Sequence, residues 1–327
     1  MEHNVKWTEV LDGDFPVTQV AGKTVSERLM IANEYLTLAV EHPFANIEHV
    51  HQLRVATRRA DAALDFFHDS FKVKKVVWFK KQLRRLRRAA GHARDLDVLI
   101  DRMTKRKKKQ KKKSKRKRHR GPADLANLAI RQRRQAQKPL SDLQKQLKKK
   151  SFKKRSKRIA DEAKWNGKST EPSFAVAARL HLSLLVDKFF EAAAGDLSDI
   201  ETLHEMRIQG KKLRYGMELV AAAFNRAFRD ELYPTFKKVQ NRIGIINDVA
   251  TAKNLLSAWE PRSDKPLGGV LTQSVSREDR KAQRKIAEFT KWWTQKRSDL
   301  LRQQFDAAIA SQSEWDGDSR SCVDPRV

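Results

Sequence analysis

An internal repeat constrains this chain more than any other feature. Laid over itself at an offset of 153 residues without gaps, the sequence places His51 on His204, Arg54 on Arg207, and Arg58-Arg59 on Lys211-Lys212. The same offset sets Arg84-Arg85 on Lys237-Lys238, Gly91 on Gly244, and Asp95 on Asp248. It also lays the apolar stretch Lys23 to Glu41 over Val176 to Ala194, and the basic stretch Ala123 to Arg158 over Ser276 to Ser311. Charge identity and core pattern agree at one offset, so the chain reads as a duplicated unit. The expected organisation is an N-terminal segment 1–22, a repeated domain 23–311, and a C-terminal tail 312–327. Within the domain, a first unit 23–158 is joined to a second unit 176–311 by a linker 159–175 that contains NGKSTEPS.

Each unit reads as helical. Twelve glycines and nine prolines are few for 327 residues, and apolar residues recur at spacings of three and four rather than two. Leu29, Ala32, Leu36 and Val40 form one stripe; Val50, Leu53, Thr57, Ala60, Leu64 and Phe67 form the next; Trp78, Leu83, Leu86, Ala90 and Ala93 form a third. Each stripe must bury itself against another helix. The fold class that follows is all-α: two bundles related by a pseudo-twofold axis, with equivalent basic faces able to meet at their junction.

Charge narrows the partners. Seventy Lys and Arg stand against forty Asp and Glu, a formal net charge of +30, which implies a polyanion: nucleic acid, an acidic membrane surface, or an inorganic polymer. The run Lys105 to Arg120, KRKKKQKKKSKRKRHR, holds thirteen of these cations and no apolar side chain, so a disordered insertion is expected there. Without it the remainder is still strongly basic. The single cysteine, Cys322, excludes an internal disulfide and a cysteine-rich zinc site. The start, MEHNVKWTEVLDG, lacks a secretory pattern, and the longest apolar run is Leu219 to Phe224, far short of a membrane span. A cytoplasmic protein without membrane attachment is expected.

The basic positions have a helical order. His51, Arg54 and Arg58 fall at i, i+3 and i+7, on one face beside the apolar stripe. Lys81, Arg84 or Arg85, and Arg88 repeat the spacing in WFKKQLRRLRR; His204, Arg207, Lys211 and Arg214 share one later helix, and Lys237, Lys238 and Arg242 another. Rows of like charge repel by a few tenths of a kcal/mol per pair, about what an opposite pair gains. An anion supplies the compensating term, because guanidinium groups make paired charge-assisted bonds to phosphate oxygens. A solvated face need not keep the same pattern in both halves, which favours phosphate binding. For the two histidines, packing is the commonest explanation and a phosphate contact the next. Glu48 and Glu201 give each a Glu-x-x-His spacing, but the further carboxylates of a bundle metal site are missing, so no metal ligand is expected. Asp95 is expected to orient a neighbouring arginine, and Gly91 and Gly244 to mark a helix end or a close crossing.

HVHQLRVATRRADAALDFF with AAGHARDLDVL, and LHEMRIQGKKLRYGMELV with NRIGIINDVATAKNLL, resemble the two halves of a CHAD domain, the conserved histidine α-helical domain. The resemblance implies two antiparallel four-helix bundles around a basic central groove or pore, binding of inorganic polyphosphate, and association with polyphosphate granules. It assigns polyphosphate contact to His51, Arg54, Arg58 and Arg59 in the first half, and to His204, Arg207, Lys211, Lys212 and Arg214 in the second. Lys81, Arg84, Arg85, Arg88, Lys237, Lys238 and Arg242 correspond more loosely to the family's basic surface. Arg94 belongs with these contacts, one-sidedly, since its counterpart is Asn247. Related proteins often carry a triphosphate-tunnel catalytic domain marked by ExExK; no ExExK occurs here. A stand-alone, non-enzymatic binding module without cofactor or metal is therefore expected, with inorganic polyphosphate as partner and the number of copies open. Two alternatives stand beside it. Nucleic-acid binding would use the same charge, although few aromatics adjoin the basic positions beyond Trp78, Phe79 and Tyr215 for base stacking. An enzyme using His51 or His204 would have only Glu48 or Glu201 nearby in sequence to activate it.

Overall fold

The structure, a computed structural model, describes residues 6–8, 10, 13–44, 46–113, 121–260 and 265–311. Among these residues there is no strand; an isolated antiparallel bridge joins Pro16 and Ser173. The first unit contains α1 (Val17–Glu41), α2 (Glu48–Phe66), α3 (Val73–Lys113), α4 (Gly121–Gln135), α5 (Lys138–Lys149) and α6 (Phe152–Arg158). The second contains α7 (Phe174–Ala193), α8 (Ile200–Val220), α9 (Tyr233–Ser257), α10 (Lys265–Trp292) and α11 (Gln295–Ala310). The repeat offset carries the bounds of α2 to 201–219, within one residue of those of α8 at each end.

The predicted stripes are the core. Leu29, Ala32 and Leu36 on α1, all of Val50, Leu53, Thr57, Ala60, Leu64 and Phe67 on and after α2, and Leu83, Leu86, Ala90 and Ala93 on α3 are buried. They belong to one apolar cluster that runs on through Leu182, Val186 and Phe189 of α7 and Ile243 and Ile246 of α9, so the two units share a core. Each leucine removed from water there contributes roughly 1.5–3 kcal/mol.

The units are also tied at their entrances. The helix α7 starts at Ser173, whose Oγ accepts from the Val176 N–H at 3.4 Å, and α8 starts at Asp199, whose carboxylate accepts from the Thr202 N–H at 2.8 Å. Pro16 offers α1 no such cap. Glu171 of the linker supplies it instead, accepting from the Thr18 N–H at 2.8 Å and the Thr18 hydroxyl at 2.6 Å. Val17 N–H donates to the Pro172 carbonyl and Phe174 N–H to the Phe15 carbonyl, so α1 and α7 begin side by side, each entry strand satisfying the other. Beyond this junction α2 packs on α8, α3 on α9 and α4 on α10. Each of these helices meets its own counterpart, as self-complementary packing of repeated units requires.

Two helices extend past the expected bounds of the repeat and of the folded part. The first helix begins at Val17, ahead of the first repeated position Lys23, and the linker caps it from outside. The basic run expected to be disordered from Lys105 continues α3 through Lys113, while 114–120 lie outside the described residues. Helix propagation costs little once a packed segment has nucleated it, and Lys and Arg are good helix formers.

Candidate functional site: a cationic cluster between the units

The contact between α2 and α8 gathers the cations that the repeat singled out. Arg54 and Arg58 arrive from α2, and Arg207 and Lys211 from α8; all four are half-buried. Burial is the largest influence on each; for Arg54, Arg207 and Lys211 repulsion from a neighbouring cluster arginine comes next, whereas for Arg58 Tyr215 opposes burial and Arg87 and Arg214 add to it. Burial pushes Arg54 down to about 10, with Arg58, Arg207 and Arg94 adding to the effect and Asp95 opposing it. Arg207 is likewise lowered, by burial and then by Arg58. Lys211 is pushed furthest, to about 6, by burial and then by Arg58, Arg207, Arg54 and Arg214. At neutral pH this lysine is largely uncharged while it waits among arginines. The Nε of Arg207 is buried and has no hydrogen-bond partner among the described residues. A buried guanidinium N–H without an acceptor is costly, and the surrounding positive charge adds to that cost.

The surroundings fix the geometry. Arg54 donates through Nη1 to the Arg87 carbonyl on α3 at 2.9 Å, and a Cβ on Gly91 would lie 3.2 Å from that same nitrogen. Gly91 therefore marks close passage of a guanidinium over α3, whereas a Cβ on Gly244 would meet nothing within 4 Å. Alanine at 244 is accordingly expected to stabilise the protein by about 0.5–1 kcal/mol in urea denaturation, by removing a helix-interior glycine. Alanine at 91 should gain less, and should weaken anion binding severalfold by displacing Arg54. Asp95 and its counterpart Asp248 face the cluster from α3 and α9, and burial raises the carboxyl of Asp95 above its usual value despite Arg54 and His92. The buried ion pair on α3 is made by Asp97 rather than Asp95: Arg133 Nε donates to Asp97 Oδ1 at 2.6 Å, both side chains being 4% exposed or less.

Arg59 and Arg214 have a different employment. Both bind Glu218, a carboxylate 1% exposed: Arg59 Nε at 2.7 Å and Arg214 Nη1 at 3.1 Å, with the Tyr233 hydroxyl donating at 2.6 Å. Lys6 and Arg28 stand close to this network from the N-terminal segment and α1; Lys6 lies 3.9 Å from the ring centroids of both Trp7 and Tyr233. Removing the one carboxylate takes away the ion partner that Arg59 and Arg214 share. Glu218→Gln is expected to cost about 3–5 kcal/mol of stability, read by denaturant unfolding.

The two histidines are not equivalent. His51 is half-buried and pushed down to about 4, by burial and then by Arg94, whereas His204 is exposed. The difference follows the one break in the repeat. Arg94 closes over the start of α2, 3.8 Å from Glu48, while Asn247 turns to Thr251 at 3.4 Å on its own helix. Glu48 thus has an arginine beside it, and no group of three His, Cys, Asp or Glu among the described residues is placed to hold a metal ion.

The remaining predicted positions separate into two sets. Lys81, Arg84 and Arg88 are exposed and fall on the face of α3 that carries Gly91 and Asp95, so they extend the track outward; Lys237 does the same on α9 with Gly244 and Asp248. Lys212 and Lys238 are exposed and Arg85 and Arg242 point elsewhere: Arg85 to Gln82 and Gln146, and Arg242 over the Trp292 ring at 4.3 Å. The sequence reading missed Arg87, which is paired with Asp61 at 3.0 Å and donates to the Thr57 carbonyl at 3.1 Å. Its counterpart is Gln240, so a search for repeated charge passes over it. Tyr215, buried beside Arg58 and Arg207 with the Arg214 guanidinium 4.4 Å from its ring, had no counterpart to flag it.

No helix among the described residues is long and apolar enough to cross a membrane. No curated protein matches the sequence. Among solved structures, the chain is similar to the crystal structure of the CHAD domain from the plant Ricinus communis, with a TM-score of 0.65 at 18% identity, covering 92% of this chain and 96% of that one. It is also similar to PptA from Streptomyces chartreusis, with a TM-score of 0.52 at 14% identity, covering 88% of this chain and 99% of that one. At such identities the likeness speaks for the fold alone. The family model for the CHAD domain matches residues 30–257, a stretch that runs from α1 through the end of α9 and includes every residue of the α2–α8 cluster, and the chain belongs to the CHAD-domain family.

Proposed function

We propose that the protein binds inorganic polyphosphate, without chemical turnover, in the cationic cluster between α2 and α8, and associates with polyphosphate granules through it. The observation that carries this reading is the excess of positive charge: Arg58 depresses Arg54, Arg207 and Lys211 in a half-buried site where Asp61, Asp95 and Asp248 are too few to neutralise the gathered cations. Such a cluster destabilises the free protein, and a flexible chain of closely spaced phosphates relieves it. Lys81, Arg84 and Arg88 on α3 and Lys237 on α9 then carry the polymer beyond the cluster. His51, neutral where it stands, serves as a hydrogen-bond donor rather than a charge.

A duplex nucleic acid is a poorer match. Its phosphates lie on a broad cylinder that meets exposed lysines readily but reaches a half-buried cluster badly. Generic backbone affinity through the run 105–120 remains compatible with the composition. The deciding measurement is competition: long polyphosphate should displace duplex DNA at matched phosphate concentration, and its own binding should tighten with chain length and weaken with salt. Deleting 105–120 should remove most DNA binding and leave polyphosphate binding within a few fold. Failure of polyphosphate to displace DNA, or release of free phosphate that is lost on replacing His51, would overturn the reading.

A further inference from the structure

The elbow between α5 and α6 carries charge that the repeat does not explain. From Lys145 to Arg158 there are nine cations and no acid, whereas the counterpart stretch, 298–311, has Arg302 alone against Asp299 and Asp306. The packing positions are kept: Phe152 and its counterpart Phe305 are both buried. The fold therefore needs the apolar face and not the charge. Among the described residues, Arg158 is the single one of the nine that makes an ion pair, with Glu162 at 3.6 Å.

The backbone differs at the same place. Ser151 has φ 53°, the one non-glycine residue described in the left-handed region, and it breaks the chain into α5 and α6, while α11 runs unbroken through the corresponding position. A strained residue of this kind persists where the surroundings hold it, and such residues gather at ligand sites. The elbow opens a cavity of about 520 Å³ against α1, within the range of small-molecule sites. Leu36, Leu147 and Phe152 form its floor, and Lys148, Lys153, Lys154 and Lys157 its rim. Gln144 lines it at 8% exposure, and its Nε2 has no hydrogen-bond partner among the described residues. An orphaned amide of this kind costs free energy until a ligand meets it.

We infer that this cavity is a second ligand site, for an organic phosphate with a flat, weakly polar body, the class of the purine nucleoside triphosphates. The lysine rim receives the phosphates, the apolar floor takes a ring, and a carboxamide is the side chain whose donor and acceptor match an adenine edge. Inorganic polyphosphate could accept from Gln144 Nε2 but would leave the apolar floor unmatched. The site shares no residue with the α2–α8 cluster and does not rest on the polyphosphate reading.

The test is calorimetric titration of the full chain with ATP and, separately, inorganic triphosphate at equal ionic strength. ATP is expected to bind about tenfold more tightly, because a ring on the floor and one satisfied buried amide together contribute more than charge alone. Gln144→Ala should weaken ATP severalfold and keep ATP ahead of triphosphate, whose binding lacks the contact of a ring with the floor; Lys153→Ala with Lys154→Ala should weaken both, the folded state of each variant being checked by its thermal unfolding. Arg58→Met with Arg207→Met, in the central cluster, should leave ATP binding as it was. Equal affinity for ATP and triphosphate, silence of Gln144→Ala, no ATP binding, or loss of ATP binding only in the central-cluster variant would each overturn the inference.

Discussion

Replacing Arg58 and Arg207 together by methionine is expected to weaken binding of long polyphosphate by at least about a hundredfold at low salt, since each charge-assisted bond to phosphate contributes roughly 1.5–3 kcal/mol. Methionine keeps much of the apolar stem that each arginine packs, so lost packing is minimised. The same double variant should resist urea better than the parent protein. In the free state these guanidinium groups are half-buried and repel each other and Lys211, and the change removes that repulsion. Lower affinity with higher stability is the signature of a binding cluster held at the expense of the fold. If the variant binds normally, or is destabilised as much as a broken buried ion pair would be, the two arginines are structural and the proposed site is wrong. Glu218→Gln is the contrasting case, expected to lose stability first, because there the charges already have their partner.

The second large effect is on protons. Lys211 is held near 6 in the free protein, against about 10.4 for an unfolded lysine, so between these values the unfolded chain binds more protons than the folded one. Stability from this group therefore rises with pH from about 6 to about 10, and Lys211→Met should flatten that part of the profile. Phosphate oxygens brought to the cluster reverse the balance, since the charged lysine is then the favoured form. At pH 8, binding of a long polymer, whose end groups are few, should take up close to one proton per site. Calorimetry in buffers of different ionisation enthalpy measures this number directly. Affinity should fall as pH rises above about 6, by up to tenfold per unit, and Lys211→Met should remove both effects. His51, held near 4, lies among the same cations and faces Arg94 and Glu48; it remains in that variant, so any uptake left over reports on it. Absence of uptake in the parent protein would mean that no phosphate reaches Lys211.

Much of the fold was legible because helical periodicity and duplication are both written in the order of residues. The stripe Val50, Leu53, Thr57, Ala60, Leu64, Phe67 is buried throughout, and α8 starts and ends where the repeat places it. The α2–α8 cluster was legible for the same reason. Arg54 and Arg207 are equivalent, and equivalent faces of a duplicated unit can meet. What the repeat could not show is which cations are already neutralised. Arg59 and Arg58 are neighbours in sequence and identical in chemistry, yet Glu218, 159 residues away from Arg59, pairs with one and not the other. Nor could periodicity tell Arg85, which leans on Gln146, from Arg84, or separate His51 from His204.

Order and composition alone fixed that this protein is helical and strongly basic and suggested that it is duplicated, since periodicity, net charge and offset need no knowledge of which helices touch. Which of the cations gather, and which are already paired, depends on the packing of the helices. The energy of a charge depends on its distance to other charges and to water, and those distances are set across helices that the sequence does not place side by side. Packing α2 against α8 turned two solvated rows into one desolvated cluster, while Glu218 withdrew Arg59 and Arg214 from it and Arg94 closed His51 in. Only in that arrangement does Lys211 give up its proton, and the proton is the quantity by which the site can be tested.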